Sequence, residues 1–408
     1  MRDVEKLTDK APQWTQSRLL RKLGLDISTE ARGGAIDIYG LRRADVMRLF
    51  PYVLASRAVY ALLWFYIAPI LPIMAKELSA TQAELGLLPA AFIAGAAAAQ
   101  IPASWLGSKI GDVRTAGLGL LLLGAGSASL GLAGTWAEAL AFRAVAGVGA
   151  GLFFSTAGAA LVALRPRAVG SALGLYNASF NLGALAGYYW GYVAGPLGWR
   201  NAVIAPGAVA AAMSVPLLAQ GGFKHQLRLS RSAASLGLAS FPIWGAAYAA
   251  NSLAASWLEL YRGASPSAAG AMSSASMASG LLGGLLGVVY DRTSDKRLVL
   301  ASSALATAAS MAVIPWAPTP LAPAAIFAYG TAYTVYMTSI YAEGSASGDP
   351  SSALAVINLV DMALGLNMSY AFSYAMALSP PLAWSLAAAA ASTSASAALL
   401  AGSRKRKT

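Results

Sequence analysis

Three charged side chains stand well inside apolar runs, where charge is expensive: Arg57, Arg143 and Asp361. Lipid cannot solvate such a charge, so it faces a cavity or a partner. Asp361 is the one acid well inside any such run, whereas Glu138, Glu259 and Glu343 sit at the ends of theirs. An isolated buried carboxylate can carry a proton at neutral pH. The competing reading is a structural acid, hydrogen-bonded near Asn358, with Asn367 further out. Arg143 can likewise be read as a cavity residue or as a side chain reaching for the interface. Arg57 and Arg143 against Asp361 leave one surplus positive charge, which suits a small organic anion taken up with protons.

Aromatic and amide side chains recur at helical spacing near these charges. Tyr329, Tyr333 and Tyr336 follow i, i+4, i+7; Trp244, Tyr248 and Asn251 do the same, and Tyr60 with Trp64 spans one turn. Any one such stripe is most simply core packing. Asn177 and Asn181 face a pore or a neighbouring helix on a segment that also carries Gly183, Gly187, Gly191 and Gly195. One glycine every four residues makes a strip on which another helix can ride closely.

Two short charged hinges lie about 180 residues apart. The second reads Gly287-Val-Val-Tyr-Asp291-Arg292-Thr-Ser294-Asp-Lys296-Arg297, and the first Ser104-Trp-Leu-Gly107-Ser108-Lys109-Ile-Gly111-Asp112-Val-Arg114. The second resembles the signature loop of the major facilitator superfamily of transporters: Gly, three residues, Asp, Arg or Lys, one residue, Gly, then basic residues, with Ser294 here in the place of the second Gly. The first copy is degraded. Its favoured register puts Ser104 opposite Gly287 and leaves Ser108 where the acid belongs, with Asp112 able to substitute from the next turn. The resemblance implies that these loops latch the two halves in one state of an alternating-access cycle. Arg143-Ala-Val-Ala-Gly147-Val-Gly149 is similar to a second family motif, whose arginine is associated with substrate or proton coupling. The same resemblance implies a central cavity lined by the first, fourth, seventh and tenth helices, where the aromatic faces would converge.

The elements that must hold these residues are membrane spans. Hydrophobic residues make up 57% of the 408-residue chain and charged ones 11%, more apolar surface than soluble cores can hide. The apolar runs fall at 51–75, 82–104, 115–134, 137–162, 168–195, 199–219, 235–260, 267–289, 298–316, 321–342, 352–377 and 380–402, each near the ~20 residues needed to cross a bilayer. The expected fold is therefore an all-α membrane protein of twelve spans in two pseudo-symmetric six-helix bundles. The first bundle is expected over 51–219 and the second over 235–402, joined by a linker at 220–234. Residues 1–50 form a cytoplasmic extension, either a basic amphipathic helix or a charge-rich leader, and 403–408 a basic tail. No apolar signal core follows Met1.

Charge fixes the expected orientation. The extension, Lys109, Arg114, Arg165, Arg167, Lys224, Arg228, Arg231, Arg292, Lys296, Arg297 and the tail fall on one side, and only Lys76, Arg200 and Arg262 on the other. The positive-inside rule places both termini in the cytoplasm of a cell-membrane protein, so the net charge of +12 calls for lipid headgroups and not nucleic acid. With no cysteine and one histidine, His225, neither disulfides nor a Cys or His metal site is expected, and no cofactor. No phosphate-binding Gly-x-x-x-x-Gly-Lys-Ser/Thr loop exists for a nucleotide-driven pump. The expectation is a monomeric secondary transporter of a small solute, with amphipathic-compound efflux as an alternative. A receptor or channel is the rival class and leaves the repeated hinges without a role.

Overall fold

The computed structural model describes residues 43–164, 169–220, 231–282, 293–346 and 350–403, and every regular element among them is helical. Glycine, alanine and serine crowd the helix crossings, where small side chains let backbones meet without lipid between them. A Cβ added to Gly147 would sit 2.0 Å from the Phe92 carbonyl oxygen, and one on Gly149 would sit 2.1 Å from the Leu123 nitrogen.

The first span is two pieces, α1 (Arg43–Phe65) and α2 (Leu71–Glu77). Pro69 and Pro72 lack the N–H groups that would continue the ladder through the intervening turn. The second and third spans are α3 (Leu87–Ile110) and α4 (Asp112–Ser129), the fourth is α5 (Trp136–Leu164). The fifth divides into α6 (Val169–Tyr188) and α7 (Gly191–Leu197), and the sixth is α8 (Trp199–Ala219). Then come α9 (Arg231–Arg262), α10 (Pro266–Ser273), α11 (Ala275–Gly280), α12 (Lys296–Val313), α13 (Ala322–Ala346), α14 (Pro350–Gly365), α15 (Asn367–Leu378) and α16 (Pro380–Ser403). The expected runs fall on these helices; beyond residue 282 the eighth run lies outside the described residues. The predicted extension (save its last turns), most of the linker and all but Ser403 of the tail also lie outside them.

Among the described residues, six helical segments are long and apolar enough to cross a membrane by themselves. The first, fifth and eighth runs are interrupted, and the seventh is diluted by serines. Interrupted helices with polar faces suit a protein interior and not lipid.

Residues from Met47 onward form one compact unit. Within it, α3, α4, α5 and α8 pack on one another, and so do α9, α12, α13, α14 and α16. Contacts between the two groups are fewer: α3 with α14 and α15, α6 with α11, α7 with α10, and α2 with α9. The helices α2, α7 and α10 mark the distal end of the unit.

Candidate functional site

The two helix groups are sealed together along their distal half. A Cβ on Gly86 would lie 1.9 Å from the Ser369 carbonyl oxygen, and one on Gly270 would lie 2.0 Å from that of Tyr188. Gly86 and Gly270 occupy the same place in the repeat, each at the head of a hinge-bearing span. Four hydrogen bonds cross beside them: Tyr188 Oη to Asn251 O (2.8 Å), Ser373 Oγ to Ala83 O (2.6 Å), Tyr261 Oη to Gln82 Oε1 (3.0 Å) and Tyr248 Oη to Pro89 O (3.3 Å). Deeper in, Gln100 Nε2 meets Met362 Sδ at 3.6 Å.

Beneath this seal lies a cavity of about 20 Å³, lined by Trp64, Leu71, Leu88, Arg143 and Ser252 among others. That is room for roughly one water. Arg143 is 2% exposed, so it does not reach for the interface. Its terminal nitrogens donate to Leu63 O and Trp64 O, both at 2.9 Å. Those carbonyls close α1, where the break leaves them without helical partners. The guanidinium carbon lies 3.9 Å from the centre of the Phe92 ring, and Nε has no hydrogen-bond partner.

Arg57 is 3% exposed and boxed by rings. Its guanidinium carbon lies 4.3 to 4.9 Å from the centres of Tyr60, Phe154, Tyr176 and Phe180. Cation–π contact of this kind stabilises a desolvated charge by about 2 kcal/mol. Nε and one terminal nitrogen are left without a hydrogen-bond partner. Between the arginines, Trp64 meets Phe92, Phe180 and Tyr248 edge-on at 4.9 to 6.0 Å, and Trp244 stacks on Tyr248 at 5.4 Å.

Across from Arg57, Asp361 on α14 is fully buried. Ser240 Oγ donates to its Oδ1 at 2.7 Å, and Oδ2 has no partner. Asn358, one turn earlier, accepts from Tyr341 Oη at 2.9 Å. Tyr341 is close enough to both Arg57 and Asp361 to feel their charges. The tyrosine stripe on α13 splits by function. Tyr329 donates to Asn251 Oδ1, and Tyr336 to Ala239 O at 3.2 Å, so both fasten α13 to α9. Tyr333 is half-buried and near Asp361.

The amide pair on α6 separates. Asn177 is exposed, while Asn181 abuts Gly280 on α11, whose added Cβ would lie 2.8 Å from Asn181 Oδ1. The face of α6 that meets Arg57 carries Tyr176 and Phe180. One residue of offset turns a helix by about 100°, and no property of the asparagines signals which face turns inward. The i, i+4 spacing of Tyr176 and Phe180 was an available signal.

At the first hinge, Gly111 adopts φ +92°, a conformation open to glycine, and starts α4. Asp112 is 1% exposed in the first turn, where the helix dipole favours a carboxylate. Ser104 is buried, Lys109 and Arg114 are exposed, and Ser108 donates to Trp105 O on its own helix at 2.6 Å. At the second hinge, Lys296 and Arg297 open α12, capped by Asp295 accepting from the Arg297 and Leu298 amides. Gly287, Asp291 and Arg292 lie outside the described residues.

At the distal rim, Glu77 accepts from Trp199 Nε1 at 2.5 Å and pairs with Arg200 at 2.8 Å. The Trp199 and Arg200 hydrogen bonds hold its carboxyl below the usual carboxylate range.

Comparison with known proteins agrees with this architecture. The family profile described as Major Facilitator Superfamily matches residues 53–403. The fold is similar to a D-xylose-proton symporter (TM-score 0.70, 14% identity, 86% of this chain and 96% of that one). It is also similar to a bacterial homologue of the human lysosomal transporter Spinster, inward-facing and occupied (TM-score 0.69, 15% identity, 88% and 97%). Multidrug efflux protein YfmO of Bacillus subtilis (strain 168) is 30% identical over 132 residues, which are 32% of this chain. The match spans 33% of that relative's length.

Proposed function

This chain belongs to the major facilitator superfamily, and on that premise we propose that it moves a small organic anion across the cell membrane together with protons, by alternating access. It is a multi-pass membrane transporter with that family's twelve helices in two six-helix bundles. The proposed bundles are 51–219 and 235–402, rocking about the central cavity, with both termini cytoplasmic, the distal end outside, and the chain acting as a monomer. The hinge residues Ser104, Ser108, Lys109, Gly111, Asp112 and Arg114, with Gly287, Asp291, Arg292, Lys296 and Arg297, latch the cytoplasmic side in the alternate state.

One observation carries the anion assignment. Arg57 is buried among four rings with Nε and one terminal nitrogen unbonded. A buried cation without a counterion is costly, and a substrate carboxylate or comparable anion removes that cost. Arg143 adds a second cation beside the cavity. Asp361 supplies the proton, with one oxygen held by Ser240 and one open. Trp64, Trp244, Tyr248, Asn251, Tyr329, Tyr333 and Tyr336, with Asn181, shape the pathway around them.

The test begins with thermal stabilisation of the purified protein by matched pairs of small carboxylates and their neutral amides, since a bound ligand stabilises the folded state by mass action. Carboxylates should stabilise the native protein and lose that effect in Arg57→Ala. Asp361→Asn should abolish uptake of the stabilising carboxylate against its gradient while leaving counterflow intact. Stabilisation by neutral amphipathic compounds alone would refute the anion reading. It would favour efflux of such compounds, the reading supported by the likeness to YfmO and by the aromatic walls.

A further inference from the structure

We propose that Glu259 is a second proton-carrying carboxylate, which takes protons at the distal end and passes them toward the cavity. The inference rests on the proton-coupled reading above but concerns a different residue. Glu259 lies in the last turn of α9, half-buried, with Oε1 enclosed and without a hydrogen-bond partner. One turn inward on the same face, Ser256 is fully buried and its hydroxyl is also unpartnered. A further turn inward, Ser252 lines the cavity beside Arg143. Positions 252, 256 and 259 follow i, i+4, i+7 and form one polar stripe about 10 Å long. It lies on a helix that packs against α2, the other bundle's distal piece. Apolar side chains would fill such a seam at no cost in unsatisfied polar atoms. Serine, serine and glutamate are what a protein needs there to hold and hand on a proton.

No ion pair reaches Glu259 among the described residues. On its own helix, Arg262 donates to Pro315 O and lies over Trp257, while Tyr261 is bonded to Met376 O and Gln82. On α2, Lys76 is exposed and Glu77 is held by Arg200. Glu84 beside it accepts from Thr81. Of the helices packed on α9, α15 carries Tyr370 and Tyr374, both exposed, and α13 and α14 carry Tyr329, Tyr333, Tyr336, Tyr341, Glu343 and Asp361. Neither α10 nor α16 carries a titratable side chain. The step is a protonation only. Glu259 gains a proton from distal water, forming one O–H bond, and returns to carboxylate when that proton moves inward.

A hydrophobic carbodiimide tests this without any substrate, because it modifies protonated carboxyls in apolar surroundings. The full-length protein is reconstituted in liposomes, treated over a range of pH, and mapped by peptide mass spectrometry. An adduct on Glu259 is expected in acid. It should be lost as pH rises and absent in Glu259→Gln, with Glu259→Asp retaining it. Ser256→Ala should slow its formation. Labelling of Asp361 without Glu259 overturns this inference and leaves the proposed coupling standing. Labelling of Glu259 without Asp361 does the reverse. Protection of Glu259 by sodium at constant pH would make it a metal-cation ligand and overturn the proton assignment.

Discussion

Replacing Gly86 or Gly270 by alanine should open the distal end of the protein without unfolding it. Each added Cβ would lie 1.9 or 2.0 Å from a carbonyl oxygen of the opposite bundle. The bundles must therefore part by about 1.5 Å at either site to regain the ~3.5 Å of ordinary contact. The struck atoms are backbone, so no rotamer change relieves the overlap. Overpacking of this kind costs about 1–3 kcal/mol, and each crossing hydrogen bond lost with it about 1 kcal/mol. Only the distally closed state bears this, so the equilibrium shifts by about 2–4 kcal/mol, which is at least ~30-fold. The chain has no cysteine, so a single Ser252→Cys thiol on the cavity wall reports the change. Its rate with a membrane-impermeant maleimide added from the distal side should rise by that factor in Gly86→Ala and in Gly270→Ala. Gly95→Ala is the control, because its Cβ would strike Ala144 O at 2.1 Å inside one bundle. It should lower the melting temperature and leave the labelling rate alone. Folded Gly86→Ala and Gly270→Ala proteins that label at the native rate would refute the assignment of this contact as the seal.

At the first hinge, Asp112→Asn should slow transport strongly while Ser108→Ala does little, because the aspartate is buried and the serine is bonded within its own helix; uptake rates at matched membrane abundance decide it. The Glu77 clasp predicts acid sensitivity with a defined sign. Its folded-state pKa is depressed, so the stabilisation is complete above the unfolded value of about 4.3 and fades as pH falls through the lower folded value. Melting curves across that range should show an acid-side loss that is smaller in Glu77→Gln.

The positions of the helical runs were legible, though not their ends, because hydropathy and length are properties of a segment by itself: the run expected from 51 starts at Arg43, and that expected to end at 104 reaches Ile110. So were the buried charges, since Arg57, Arg143 and Asp361 stand out against apolar neighbours. What the sequence did not disclose depends on rotation and on partners. Asn177 and Asn181 carry the polar chemistry of α6, yet Tyr176 and Phe180 meet Arg57. The tyrosines of α13 share a face by spacing, but Tyr329 and Tyr336 spend their hydroxyls on α9, which only the packed pair reveals. Arg143 read as a cavity cation or an interfacial one. It is also a donor to the end of α1, a role created by a break that two prolines mark but do not locate. Nothing in the sequence around Gly86 and Gly270 says that their contacts belong to the opposite bundle.

The Arg143 contact also bears on how the chain is made. Leu63 and Trp64 present their carbonyls to a residue about 80 positions later. In a bilayer such groups find no water, and each is costly while bare. The first span therefore leaves the ribosome with a defect that it cannot mend alone, and the fourth span carries the repair. Until α5 arrives, α1 and α2 belong beside the insertion machinery or at a hydrated edge, not in open lipid. A chain truncated after the third span should be held there or degraded. One extended through Arg143 should be released into the membrane as a protease-resistant core.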